Sequence, residues 1–153
     1  MAPTTAQKAI GSKSEIQALL QDIAIQGQKF NQDELEPEAR EKLIQNARAL
    51  ISSLETPLES ILWMIWSEPT RNIAARLALD LKIFDTMIRD NGRPKSVVEL
   101  AAPTGASPKL VQRIARKLAT MHMIDETGVA EYAPNQLTRT LTIPKYRDGI
   151  RFW

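Results

Sequence analysis

The stretch SVVELAAPTGASPKLVQRIARKLATMHMIDETGVAEYAP, residues 96–134, constrains the fold more than any other part of the chain. Ser96 with Glu99 three residues on is a capping box. The serine oxygen accepts from the backbone N–H of residue 99, and the carboxylate reaches back to the N–H of residue 96. A short helix, VVELAAPTG, starts there. Thr104-Gly105 supplies a tight turn. Ser107 then caps a second helix, with Pro108 at its first position, where a missing N–H leaves no bond unmade. Leu110, Val111, Ile114 and Leu118 are expected to face inward along this helix. Residues 123–127 and 130–134, joined through Gly128, read as a β-hairpin. A helix, a short glycine turn, a helix and a hairpin make the pattern of a winged helix-turn-helix.

The residues before it are helical and unusually apolar. A first helix begins at Ser12, with Glu15 completing a capping box, and carries Ile16, Leu19, Leu20, Ile23 and Phe30 on one stripe. A polar break at residues 31–37 leads to a second helix over 37–54, with Leu43, Ile44, Ala47, Leu50, Ile51 and Leu54 on one face. Neither stripe can be buried by its own helix, so these two form an arm that must pack on something. Thr56, Pro57 and Glu59 then open LESILWMIWSE, which is apolar nearly all round. A helix without a polar face is expected to be buried on all sides. Two tryptophans and a methionine within it suit a subunit interface or the wall of a ligand pocket. A further helix starts at Pro69, with Ile73, Leu77, Leu81 and Phe84 recurring along it, and should break near residues 82–84. Arg71, Arg76 and Asp80 are candidate salt-bridge residues on its solvated face. Asn91-Gly92 signals a turn, and Arg93-Pro94 an extended segment.

Composition narrows the function classes. Hydrophobic residues make up 43% of the 153 and charged residues 25%, ordinary for a globular chain. With no cysteine there is no disulfide, thiolate ligand or cysteine nucleophile, and the cytoplasm is the expected compartment. No apolar run reaches the roughly 18 residues of a membrane helix, and the first residues lack the apolar stretch of a secretory signal. A net charge of +2 leaves nucleic acid possible but disfavoured, since dedicated binders carry a denser basic field. The best nucleic-acid evidence is the outer face of the helix after Ser107: Lys109, Gln112, Arg113, Arg116 and Lys117. Gln and Arg there could read base edges, but the same residues would equally keep a helix solvated and offset its dipole.

Several phrases in order carry a resemblance. RNIAARLALDLKIFD at 71–85, the 96–134 stretch running on to NQLTRTL, and then PKYRDGI are similar to the N-terminal dimerisation region of plant- and fungal-type S-adenosylmethionine-dependent O-methyltransferases. The likeness covers about residues 60–153; the arm at 12–54 matches only in being helical. His122 stands where that family often has glycine, and Asn135-Gln136 and Thr140 replace its commoner Thr and Ser. A left-handed backbone at His122 would be unusual but tolerable. The family's catalytic half is a Rossmann-like domain with a glycine-rich cofactor loop. The glycines here, at 11, 27, 92, 105, 128 and 149, include no G-x-G pair. The single histidine, His122 between Met121 and Met123, suits a structural role better than a catalytic one.

The resemblance therefore implies a mainly α chain: a winged helix-turn-helix with a small β-hairpin wing and an N-terminal helical arm, in an intertwined homodimer. Its expected divisions are a disordered tail at 1–11, the arm at 12–54 and the dimerisation domain at 56–153, with the catalytic Rossmann-like domain absent. Leu62, Trp63, Met64, Trp66, Ile73, Leu77 and Leu81 would form a dimer interface or substrate-pocket wall. No catalytic, cofactor or metal residue is expected in this chain, which would not be active alone. S-adenosylmethionine and a small-molecule acceptor belong to the parent enzyme, of secondary-metabolism type. The partner would be a second copy or a separate catalytic subunit, with no membrane involved. The alternative is a small dimeric winged-helix DNA-binding regulator using Lys109, Gln112, Arg113, Arg116 and Lys117.

Overall fold

The computed structural model describes residues 8–28 and 36–152, with side chains as far as 150. The tail at 1–7, Phe30, the polar break over 31–35 and Trp153 lie outside the described residues. The chain divides into two compact units, Met1–Trp66 and Ser67–Trp153, each described by itself.

In the first unit, α1 (Lys13–Gln28) packs on α2 (Pro37–Leu54). The expected box at the start of α1 is formed: Glu15 N–H donates to Ser12 Oγ at 3.2 Å, and Ser12 N–H to Glu15 Oε2 at 3.4 Å. Just before it the chain is tied to the end of α2, where the N–H groups of Ile10 and Gly11 donate to the carbonyls of Glu55 and Ser53, both at 2.9 Å. A Cβ on Gly11 would sit 2.6 Å from the Ser53 Cβ, so that approach requires glycine. Thr56 and Glu59 close a second box on α3 (Pro57–Leu62), and the Thr56 N–H and hydroxyl hold the Glu59 carboxyl below its usual range. A π-helical turn, Trp63–Ser67, follows. Such turns place one extra residue in the ring and rotate the side chains that follow.

The second unit contains the core. On α4 (Glu68–Asp80), Ala74, Ala75 and Ala78 are buried with Leu79, and these small residues let α7 (Pro108–Thr120) pack close. The helix ends where the sequence breaks: Lys82 is left-handed at φ 55°, and α5 (Ile83–Ile88) starts anew. Asp90, Asn91 and Gly92 then form a turn in which all three have positive φ. β1 (Lys95–Ser96) leads into α6 (Val97–Ala101), whose Ser96–Glu99 box is formed. Gly105, at φ 71°, makes the expected turn, and Ser107 Oγ accepts from the Leu110 N–H at 3.3 Å to begin α7. β2 (Asp125–Gly128) and β3 (Glu131–Ala133) complete a three-stranded antiparallel sheet in the order β1–β3–β2, with a bulge between Glu126 and Gly128. α8 (Gln136–Leu141) and α9 (Pro144–Phe152) follow.

The chain is thus mainly helical with a small sheet. The hairpin begins two residues later than the sequence suggests, because Met123 and Ile124 turn into the core before the strand starts. The third strand pairs the predicted extended segment with β3, Lys95 opposite Tyr132. His122 is left-handed at φ 54°, as expected of a residue standing where glycine is common. Its carbonyl accepts from Asn135 Nδ2 at 3.1 Å, and the buried Thr138 hydroxyl donates to the Met123 carbonyl at 2.6 Å. These bonds fasten α8 to the end of α7. Leu110 does not face inward; it is 44% exposed. The buried stripe of α7 is Val111, Ile114, Ala115 and Leu118, at i, i+3, i+4 and i+7, and residue 110 lies beyond its edge.

Candidate functional site

The helix expected to be buried on all sides is open within this chain. Leu58, Ile61, Leu62, Trp63, Met64, Ile65 and Trp66 are all exposed, Trp63 by 51% and Trp66 by 66%. The cause is visible in the first unit. Its two longer helices cover each other only in part, so Ile16, Leu19, Ile23, Leu43 and Leu50 are half-buried and Leu20, Ile51 and Leu54 exposed. The side chains left exposed on those helices do not cover the 58–66 run. Large exposed apolar patches are characteristic of association surfaces and of ligand grooves.

The second unit carries its own opening. Ile73 and Leu77, 57% and 40% exposed on the outer face of α4, line a groove of about 690 Å³ with Asn72, Arg76 and Ile150 of α9. Arg76 is held by Asp80 at 2.9 Å, realising one of the expected salt bridges. Leu81, read with Ile73 and Leu77 in the sequence, is half-buried and packs against the core instead. Helix α4 ends at Asp80, so residue 81 leaves the stripe. Ile150 was missed by sequence reasoning, although it falls four residues after Tyr146 on an amphipathic helix, which is a usable signal.

Lys109, Gln112, Arg113, Arg116 and Lys117 do gather, with Thr120, along a groove of about 550 Å³ on the outer face of α7. Behind that face Tyr132 is fully buried. Burial raises its phenol pKa, Glu126 adds to the rise and Arg116 opposes it.

A charged cluster sits by the left-handed turn. Lys95 is buried, and its Nζ donates to Asp90 Oδ2 at 3.0 Å and to the Arg89 carbonyl at 3.2 Å. That hydrogen bond, more than the bare charge, holds the Asp90 carboxyl below its usual range. Arg93 pairs with Glu99 at 2.6 Å. The Glu99 carboxyl, which also accepts from Ser96, is lowered to about 2. Two cations and two carboxylates neutralise each other here, and the cluster fastens a turn rather than presenting a reactive group. A buried lysine could not be read from the sequence, because its ion pair depends on that turn.

Among the described residues no group of three or more His, Cys, Asp or Glu could hold a metal ion. A dinucleotide-type cradle needs a glycine loop between a parallel strand and a helix, whereas this sheet is antiparallel with strands of 2, 4 and 3 residues. Gly92 packs on Pro134 and Arg139, and Gly105 serves the turn before α7. No helix among the described residues is long and apolar enough to cross a membrane.

Comparison with known proteins agrees with this picture. The family model of the O-methyltransferase dimerisation domain matches residues 72–143. The chain is 34% identical to an O-methyltransferase, mpaG, of Penicillium roqueforti, over 90% of this chain and 34% of that one. It is 31% identical to the O-methyltransferase lepI of Aspergillus flavus, over 89% of this chain and 33% of the relative. The chain thus spans about a third of the length of these curated relatives. Among solved structures, a LepI complex with SAM superposes with a TM-score of 0.71 at 28% identity, covering 92% of this chain and 34% of that one. OxaC in complex with SAH and oxaline superposes at 0.73 with 19% identity, covering 88% and 34%, a likeness of fold alone. These matches support the methyltransferase reading and not the DNA-regulator alternative. Over residues 72–143, the chain is similar to the O-methyltransferase dimerisation domain family.

Proposed function

We propose that this chain is the dimerisation and substrate-covering module of a fungal-type S-adenosylmethionine-dependent O-methyltransferase, pairing with a second copy and not catalytic by itself. In this reading the helix–turn–helix and hairpin of residues 96–134 are a winged helix used as scaffold. The supporting observation is the exposed apolar run at 58–66, joined in kind by Ile73 and Leu77. Large apolar and aromatic side chains left in water favour association at about 25 cal/mol per Å² buried, and tryptophans are prominent among residues that dominate interface energy.

Leu62, Trp63, Met64 and Trp66 of the first unit and Ile73 and Leu77 of the second take part in pairing or wall the acceptor pocket of the parent enzyme. The module's own contribution to catalysis is to bind the apolar part of the acceptor and exclude water. When bound in the parent enzyme, S-adenosylmethionine supplies the methyl group. One structure similar to this chain is described as a pericyclic reaction enzyme, so the parent's reaction on this fold is methyl transfer or another closed-site reaction.

Sedimentation velocity tests the reading. The wild-type chain is expected to be a dimer, and replacing both Trp63 and Trp66 by Ala should weaken it by ~100-fold or more. A monomeric wild type, or a double variant that dimerises undiminished, would remove the assignment.

A further inference from the structure

The charge of this chain is divided between its two halves. From residue 67 onward fourteen Lys and Arg face nine Asp and Glu, an excess of +5, while residues 1–66 carry six against nine, an excess of −3. The positive excess is concentrated on α7, which holds Lys109, Arg113, Arg116 and Lys117 and no acidic residue. Among the described residues none of these four cations forms an ion pair. Only Lys117 lies in the last turn, where the helix dipole favours it. Lys109 and Arg113 are four residues apart, and Arg113 and Arg116 three, so they are neighbours on one face and repel one another. In the negative half, Glu36, Glu38 and Glu41 are exposed at the start of α2. The sequence around them adds Asp33 and Glu34 and holds two basic residues, Arg40 and Lys42, which leaves the segment net acidic.

We propose that the basic face of α7 is the docking site for the acidic start of α2 from a second copy of this chain, and that this contact sets the orientation of the dimer. The inference rests on the pairing proposed above and specifies its geometry. In a two-fold dimer a contact between different patches occurs twice, so each copy gives one acidic and one basic surface. Like halves facing each other would bring −3 against −3 and +5 against +5. Opposite halves bring complementary potentials together, which fixes orientation and excludes the wrong one. The apolar 58–66 face then supplies affinity, and the charged contact supplies alignment.

The test is the dimer dissociation constant of the full chain, measured by sedimentation at low and high salt. Lys109→Glu with Arg113→Glu should raise it roughly tenfold and remove most of its salt dependence. Glu38→Lys with Glu41→Lys should do the same, and the four changes together should restore tight pairing. All four positions are exposed, and an unchanged helical circular dichroism spectrum confirms that each variant is folded. A dimer insensitive to both salt and Lys109→Glu/Arg113→Glu overturns the proposal while leaving the pairing itself standing. A monomeric wild type removes the pairing, and this inference with it. Anisotropy with a labelled DNA duplex supplies the remaining arm. If Lys109→Glu/Arg113→Glu abolishes duplex binding but spares the dimer, the face belongs to nucleic acid and the proposal is overturned.

Discussion

Among the described residues, the helices of residues 8–66 bury no apolar side chain completely, whereas residues 74–141 bury nineteen. Both regions are helical, and both have regular apolar stripes. The second can close its stripes because its helices are short and approach from several directions around α7, with alanines on α4 allowing close contact. The first offers two long helices and one apolar turn, and two helices cover only one side of each other. Similar hydrophobicity therefore yields a self-sufficient core in one half and an open surface in the other. An open surface of this kind favours association with a surface that can cover it.

The sharpest way to break this comparison is to truncate one large side chain in each half. Phe84→Ala removes a fully buried ring and should destabilise the chain by ~3–5 kcal/mol in urea unfolding. Trp63→Ala, at a half-exposed side chain, should cost under ~1 kcal/mol when unfolding is followed at protein concentrations low enough to keep the chain monomeric. Its effect should emerge only as the concentration rises and the native state becomes a dimer. Equal losses at both positions under dilute conditions would mean that the first half has a core of its own.

A smaller effect distinguishes backbone from packing. Gly105 sits at φ 71° in the turn between α6 and α7, with open space around the position a Cβ would take. Gly105→Ala should therefore cost only the left-handed strain of an L-residue, ~1–2 kcal/mol. Gly105→Asn should cost less, because Asn tolerates that region. If the two variants were equally damaging, sterics rather than backbone strain would be responsible.

The legibility of the sequence follows the same division. Where a feature depends on neighbours along the chain, it could be read: the boxes at Ser12, Thr56 and Ser96, the cap at Ser107, the break at Lys82 and the left-handed His122. These are decided within four residues by hydrogen bonding and sterics. Features depending on distant chain were hidden. β1 exists because residues 95–96 find β3 some 35 positions later, and Lys95 is buried because a left-handed turn brings Asp90 to it. The site was legible as chemistry and less so as geometry. The apolar run was plain, but its exposure was not, because local spacing does not say which faces two helices and a turn leave uncovered. Leu81 and Leu110 show the same limit at the scale of one side chain, because a stripe read through a helix end or past its edge fails.

The smallest expected effect concerns acid. Glu99 has its carboxyl lowered to about 2, chiefly by the hydrogen bond from Arg93 and then by those from Ser96. A carboxylate whose pKa is lower folded than unfolded stabilises the native state above its unfolded value, near 4.3, and that contribution is lost as pH falls towards the folded one. The window is therefore about pH 5 down to 2, and stability should rise with pH across it. Glu99→Gln keeps a side-chain oxygen to accept from Ser96 but has no charge to offer Arg93. The variant should unfold at the same midpoint as wild type near pH 2 and at a lower one near pH 6. Because both partners are half-exposed, salt should shrink the difference. A gap that persists in high salt would mean that Glu99 acts mainly as the cap of α6, through the Ser96 N–H at 2.9 Å. The second unit's stability would then depend on a local hydrogen bond rather than on the ion pair beside the left-handed turn.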